Sequence, residues 1–428
     1  MIETYLYEQN IHWQGTLYNA GTRREALDDL LKLMDIDHIL AISGVRRCGK
    51  SFLMKQIINA LIEHKIPPEN ILLVNLELPA LAGPADQVFN EIWESFQKIK
   101  NPQGRLYLFL DEVQTLPNWE KWVKYQYDLH KGNIKFIVTG SNSQLLSSEF
   151  ATLLSGRVIE KRLFPFSFRE LLRHHGIDSS DPQTLALEKN KVMRFFENLL
   201  YNGGMPETLN LEQREVQREI IAAYFDTIIY KDIVPRFSVR QSRLLKDLAV
   251  YLVQNVTSIV NINKLAGIFD SNRNSLKEFV SYLESSLLIS LFEKFDFSAK
   301  KRSLAFKKIY SIDNAFYSLI PLRFSPDNGK LLENLVAVEL QRRYSQVFYW
   351  KNHNECDFVC FEDNKAVEAI QVCYRLNENN RAREIAGLEA ACKYLGLEQG
   401  TILTFNQTEL QNMPYDVKPV SKWLLTQT

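Results

Sequence analysis

The stretch GVRRCGKS, residues 44–51, constrains this chain more than any other. It follows the apolar run ILAIS (39–43) and precedes the helical pattern FLMKQIINALIEH. It therefore matches G-x-x-x-x-G-K-[ST] in the strand–loop–helix setting that the motif requires. In such a loop glycines let backbone N–H groups close around phosphate oxygens, helped by the N-terminus of the following helix. The expected nucleotide-binding residues are Gly44, Val45, Arg46, Arg47, Cys48, Gly49, Lys50, Ser51 and the adjoining Phe52. Lys50 is placed to reach β- and γ-phosphates, and Ser51 to ligate Mg²⁺. Arg46 and Arg47 stand at variable positions and need not touch phosphate.

A second motif supplies the partner. RLYLFLDEVQ (105–114) reads as a buried strand ending in Asp111 and Glu112, two carboxylates at the C-terminal edge of a sheet. Asp111 is expected to hold Mg²⁺, and Glu112 to orient and polarise the attacking water. The strand IKFIVTGSNS ends in Ser141 and Asn142, which either sense a γ-phosphate or cap the next helix. In LLSGRVIEKR, Arg157 either stabilises transition-state charge at a neighbouring subunit's site or pairs with a structural carboxylate.

Between residues 39 and 163 short apolar strands alternate with helical stretches, which argues for an α/β fold with a parallel sheet and crossover helices. Residues 165–235 read as mostly helical, broken by YNGGMPE. Helical patterns follow from 241, then a strand-like segment, KKRSLAFKKIYSI, and after the loop PLRFSPDNGK a helix leads into short strands. With 428 residues the chain is long enough for roughly two to four domains. Lys+Arg and Asp+Glu both number 51, which argues against a bulk polyanion binder. No apolar run approaches the roughly 18 residues of a membrane span, and the start lacks the pattern of a signal peptide. Five cysteines without a disulfide framework point to a reducing, cytoplasmic setting.

GVRRCGKS, LFLDEVQ, VTGSNSQLL, LSGR, PFSFREL, YNGGMPE, KKIYSIDNAF, LLENLVAVEL and ECDFV occur in this order from about residue 23 to 405. In that ordered set the chain resembles the AAA-type ATPases of bacteria and archaea that carry a C-terminal restriction-endonuclease-like domain of unknown function. The resemblance implies an N-terminal segment and P-loop core (1–164), a helical lid (165–238), a winged-helix-like domain (239–320) and a restriction-endonuclease-like α/β domain (321–428). It favours the neighbouring-subunit role for Arg157, and with it a homo-oligomer.

In the middle segment Leu276, Phe279, Val280 and Leu283 share a core-facing helical stripe, as in a winged helix. Arg273, Asn274, Lys277, Lys300, Lys301, Arg302, Lys307 and Lys308 then form a basic face. That face either meets DNA or is simply solvated around a domain-packing module.

The C-terminal domain departs from the nuclease pattern. Related active enzymes read something like I-E-V-K where this chain reads Ile370-Gln371-Val372-Cys373. Strand parity puts Gln371 and Cys373 on the face that the Glu and Lys must occupy, and Glu368 on the other. Asp357 and Glu333 remain as carboxylates of a degenerate site. Arg375 shares the right face but lies farther along the strand. A zinc site from Cys356, Cys360, Cys373 and Cys392 lacks a paired C-x₂-C, so buried free thiols are the better reading. The sequence thus points to an ATP- and Mg²⁺-dependent switch or motor without nuclease activity. The alternatives are a nucleotide-gated DNA-binding protein with little turnover and a metal-dependent nuclease.

Overall fold

The computed structural model describes residues 2–78, 81, 83–141, 154, 156–320, 327–408 and 413–426. Chain contacts divide it into two compact units, 1–164 and 165–428.

The first unit is built on five parallel strands: β1 (Ile39–Ser43), β2 (Ile71–Asn75), β3 (Leu106–Asp111), β4 (Ile134–Gly140) and β5 (Val158–Arg162), in the order β2-β3-β4-β1-β5. Every residue of β1, β3 and β4 is buried, Lys135 of β4 included, which explains their mainly apolar runs: both faces of a parallel sheet are covered by crossover helices. The helices are α1 (Ile2–Gln9), α2 (Ala26–Leu31), α3 (Lys50–Glu63), α4 (Ala85–Lys100) and α5 (Trp119–Leu129). One face carries a continuous core in which Leu108, Leu110, Phe136 and Val138 meet Phe89, Ile92, Phe96, Trp122 and Val123. The strand order has a functional consequence. Because β4 lies between β1 and β3, the end of β4 stands between the loop after β1 and the two carboxylates after β3.

The second unit begins with helices. Phe168–His174 is opened by a capping box in which Ser167 and Glu170 satisfy each other's end of the turn. Further on, helices Ser242–Gln254, Ile262–Phe269 and Arg273–Ser285 accompany a small antiparallel sheet, β6 (Ile259–Val260), β7 (Ile289–Phe292) and β8 (Lys307–Ser311), ordered β6-β8-β7. The strand-like reading of residues 300–312 is only half right. Ala299–Leu304 is a helix, because Ser298 caps it through the N–H of Lys301, and the strand starts at Lys307. Leu276, Phe279, Val280 and Leu283 are buried as a helical stripe should be.

The helix Asn328–Arg343 then leads into a five-stranded mixed sheet. Its strands are β9 (Gln346–Lys351), β10 (Glu355–Glu362), β11 (Lys365–Cys373), β12 (Thr401–Thr404) and β13 (Asp416–Pro419), in the order β13-β12-β11-β10-β9. β9, β10 and β11 run antiparallel, and the helix Glu378–Leu395 crosses over to make β12 parallel to β11. All five cysteines are free and buried, and no helix among the described residues is long and apolar enough to cross a membrane.

Candidate active site

The loop after β1 is shaped by two glycines. A Cβ on Gly44 would lie 2.5 Å from the Leu163 carbonyl oxygen and 2.7 Å from Cys48 Sγ, so only glycine lets the chain turn under the strand end. Gly49 has φ +103°, a conformation that side chains resist, and it launches α3 directly with Lys50. Val45 and Cys48 are fully buried beneath the loop, and burial pushes the Cys48 thiol up. Arg47 takes a left-handed turn with φ 69°. The Arg46 guanidinium pairs with Glu77. Phe52, on the first turn of α3, is half exposed beside Gly21, with the Lys55 ammonium 5.3 Å from its ring centre.

Lys50 is 3% exposed and donates to the Gly44 carbonyl oxygen at 3.1 Å. Its Nζ stands 3.4 Å from Glu112 Oε1, so the loop lysine and the carboxylate after β3 form an ion pair across the end of β4. Burial alone would disfavour the ammonium, but Glu112, with Cys48 and Asp111, outweighs it and the pKa is raised. Burial works against Glu112 too, yet Lys50, Gln114 and Arg46 more than offset it and hold its carboxyl below the ordinary range. Asp111 differs: burial and the neighbouring Glu112 charge push it up, opposed by hydrogen bonds from Ser51 and Thr139 and by Lys50.

Glu112 adopts φ 56°, ψ 48°, a left-handed backbone that costs about 1 kcal/mol for a residue with a Cβ. The strain is tied to one hydroxyl. Thr139 Oγ1 accepts the Glu112 N–H at 3.0 Å and donates to Asp111 Oδ1, fixing the Glu112 backbone and the Asp111 carboxylate at once. Gln114 Nε2 in turn donates to Glu112 Oε2 and, at 3.2 Å, to Ser141 Oγ. Ser141 is thus joined to Glu112 through Gln114, while Asn142 lies outside the described residues.

The structure therefore brings Lys50, Ser51, Asp111, Glu112 and Ser141 together at one sheet edge. It does not bring Arg157 to them. β5 pairs with β1 from Ile39↔Val158 to Ser43↔Arg162, so Arg157 sits at the opposite edge of its own sheet. There it pairs with Asp128 Oδ1 at 3.0 Å.

Three supporting residues escaped the sequence reading. Thr139 and Gln114 lie inside the stretches VTGSNSQLL and LFLDEVQ, but a threonine near a strand end and a glutamine in a turn are ordinary and suggest no role by themselves. Arg24 is buried and donates to the Cys48 carbonyl at 2.7 Å and the Phe164 carbonyl at 2.6 Å, bracing the loop from the N-terminal segment. Its own N–H is held by Gln56 Oε1 of α3 at 3.0 Å. A buried arginine 20 positions before the loop (44 − 24) is legible only once the segment is seen to fold back.

The donor set suits a Mg²⁺-bound nucleotide. Ser51 and Asp111 offer hard oxygens in hydrogen-bonding contact, and a buried carboxyl pushed up beside a second carboxylate is one that a divalent cation relieves. The loop adds one ammonium and a helix N-terminus without side-chain caps.

In the second unit, Glu333, Asp357 and Gln371 do converge, and Asp357 and Gln371 are buried at neighbouring positions of β10 and β11. Cys373 instead accepts from Asn380 Nδ2 at 3.3 Å. Glu368, on the other strand face, is bonded by Tyr344 OH at 2.8 Å. One expectation is overturned: Lys308 is not part of an exposed basic face. It is 4% exposed, because β8 turns its side chain inward onto Glu333, Glu355 and Asp357. Burial opposes its charge, but the surrounding acidic groups raise its pKa well above normal.

A family model described as an AAA domain matches residues 37–172. Two models of domains of unknown function, DUF8612 and DUF4143, match residues 193–326 and 328–423. Among solved structures, similarity is found to the S. cerevisiae Hsp104–ADP complex (TM-score 0.34, 15% identity, 66% of this chain and 40% of that one). AMPPCP-bound DnaA from Aquifex aeolicus (0.29, 15%, 64% and 90%) and C. elegans PCH-2 (0.30, 14%, 50% and 60%) are similar at the same weak level. Relatives by sequence are closer. The chain is 30% identical over 365 residues to an uncharacterized protein of Haemophilus influenzae, covering 84% of this chain and 88% of that one. It is 33% identical over 407 residues to the uncharacterized protein MJ1544 of Methanocaldococcus jannaschii, covering 91% and 88%. The chain belongs to the same family as these two proteins, and within it residues 37–172 are an AAA domain.

Proposed function

We propose that the protein is a Mg²⁺-dependent ATPase that works as a switch or motor. The observation carrying this is the convergence of Lys50, Ser51, Asp111 and Glu112, from two distant segments, around one strand end. Lys50 exchanges its contact with Glu112 for the β- and γ-phosphates. The released Glu112, still gripped by Gln114, orients the attacking water and takes its proton. Ser51 and Asp111 would hold Mg²⁺, which would supply positive charge against the phosphates. Ser141 reports the γ-phosphate through Gln114, in company with Asn142. Arg157, which in this chain pairs with Asp128 away from the site, would act on a neighbouring copy's nucleotide, the role that the family resemblance implies.

Residues 165–238 act as the helical lid and 239–320 as a winged-helix-like module, a reading supported by three helices on the β6-β8-β7 sheet. The mixed sheet with its crossover helix supports a restriction-endonuclease-like domain over 321–428. Nucleotide state would set how these parts engage a partner. Phosphate release by the purified chain tests the core of this: Lys50→Ala should abolish it, and unchanged turnover would defeat the reading. A superlinear dependence of rate on protein concentration, lost in Arg157→Ala, tests the shared site.

A second reading, nucleotide-gated DNA binding, is favoured by one surface. Phe297, Leu304 and Phe306 are exposed between β7 and β8, alongside the exposed Lys300 and Lys301. Aromatic faces among lysines suit stacked bases and phosphates. Gel-shift affinity with and without ATP, set against charge reversal at Lys300 and Lys301, decides it.

A further inference from the structure

A nuclease-like domain with Glu333 on the helix Asn328–Arg343 and Asp357 on β10 raises the expectation of a divalent cation, and the surroundings of Lys308 oppose it. Lys308 and Tyr310, alternate residues of β8, point to one face and into the acidic cluster. Lys308 Nζ stands 2.7 Å from Glu355 Oε1, 3.2 Å from Asp357 Oδ1 and 3.3 Å from Glu333 Oε1. An ammonium has three protons, and here three carboxyl groups stand within 3.3 Å to receive them. Three further donors reach the cluster, one of them a second donor to the same Glu333 oxygen and the others to Asp357 Oδ2 and Glu355 Oε2. Tyr310 OH donates to Glu333 Oε1 at 2.9 Å, the Val372 N–H to Asp357 Oδ2 at 3.0 Å, and Lys351 Nζ to Glu355 Oε2 at 2.7 Å.

The two departures from the nuclease pattern fit the same arrangement. Gln371 Oε1 accepts the Asp357 N–H at 3.3 Å while its Nε2 donates to Glu384 Oε2 at 2.6 Å. A glutamate at 371 would instead set a second negative charge against Glu384. Position 373 needs no lysine when a cation already arrives from β8. Among the described residues no group of three or more His, Cys, Asp or Glu side chains is disposed to hold a metal ion.

We propose that this cluster carries its cation covalently: the Lys308 ammonium occupies the place a divalent metal would take, making the cluster a metal-free joint between β8 and the five-stranded sheet. A joint of this kind binds no Mg²⁺ or Mn²⁺ until the lysine is removed. It rests on the nuclease-like reading of residues 321–428 only for the expectation of a metal. The geometry of the lysine is independent of that reading and of the ATPase.

The test is a Mn²⁺ titration of the nucleotide-free full chain, followed by electron paramagnetic resonance of free Mn²⁺. Wild type and Asp357→Asn should bind the same number of equivalents. Lys308→Met should gain one, which the added Asp357→Asn removes. Circular dichroism melts report folding, and if Lys308→Met does not fold, Lys308→Gln keeps a donor in place and should show the same gain. A wild-type equivalent that Asp357→Asn abolishes would overturn the proposal, whatever the variants do. So would folded Lys308→Met or Lys308→Gln protein with no added equivalent. Failure of the ATPase reading would appear in phosphate release and leave these differences untouched.

Discussion

Replacing Glu112 by glutamine should separate nucleotide binding from hydrolysis. The substitution keeps the shape of the side chain and an oxygen to accept from Gln114, but removes the charge that faces Lys50. At 3.4 Å and an effective dielectric of about 20, that attraction is about 5 kcal/mol. Most of it offsets the cost of holding two charges out of water, so the net release is far smaller. Phosphate must displace Glu112 from Lys50 in the wild type and meets no competitor in the variant. A net gain of about 1–2 kcal/mol corresponds to roughly 5- to 30-fold tighter ATP binding. If Glu112 is the proposed base, turnover should fall by about 10²- to 10⁴-fold. Fluorescent-nucleotide titration gives the first quantity and steady-state phosphate release the second. ATP bound more weakly by the variant would refute the competition argument. Turnover within twofold of wild type would refute the role of Glu112 itself.

Two further outcomes follow from other parts of the structure. Arg24→Ala leaves the carbonyls of Cys48 and Phe164 without their guanidinium donor, so a loss of about 1.5–3 kcal/mol in chemical denaturation is expected together with weaker ATP binding. Arg24→Lys should restore little of either, since an ammonium lacks the planar fork that spans both carbonyls; an unchanged midpoint in Arg24→Ala would remove the bracing role. In the C-terminal cluster, burial and then the Asp357 charge raise the Glu333 carboxyl to about 8, against the lowering effect of Lys308 and Tyr310. The folded chain holds that proton more tightly than the unfolded one, so the stabilising contribution is full below about 4.5 and lost as pH rises through about 8. Unfolding free energies from urea titrations should therefore be higher at pH 5 than at pH 8.5 by about 2–4 kcal/mol more in wild type than in Glu333→Gln, and a wild-type excess of the opposite sign would contradict it.

The nucleotide-site motifs were legible in sequence because each is local. Gly44 to Ser51 needs a tight turn, a lysine and a hydroxyl in consecutive positions, and Asp111-Glu112 needs only an apolar strand ending in acids. Strand parity likewise told which faces of β11 Gln371, Cys373 and Glu368 occupy. Tertiary structure alone decided what stands beside them. The order β2-β3-β4-β1-β5 inserts Thr139 between the loop and the carboxylates, and no local pattern encodes which strand neighbours which. Arg24 supports the loop, and Arg157 leaves its own site, through pairings between segments far apart in the chain. Lys308 is the clearest case. Read locally it is one more lysine in a basic run, whose charge should favour solvent. Folded, it is buried because Glu333 of one helix and Glu355 and Asp357 of β10 converge on it beside Tyr310, and together these groups outweigh the cost of leaving water.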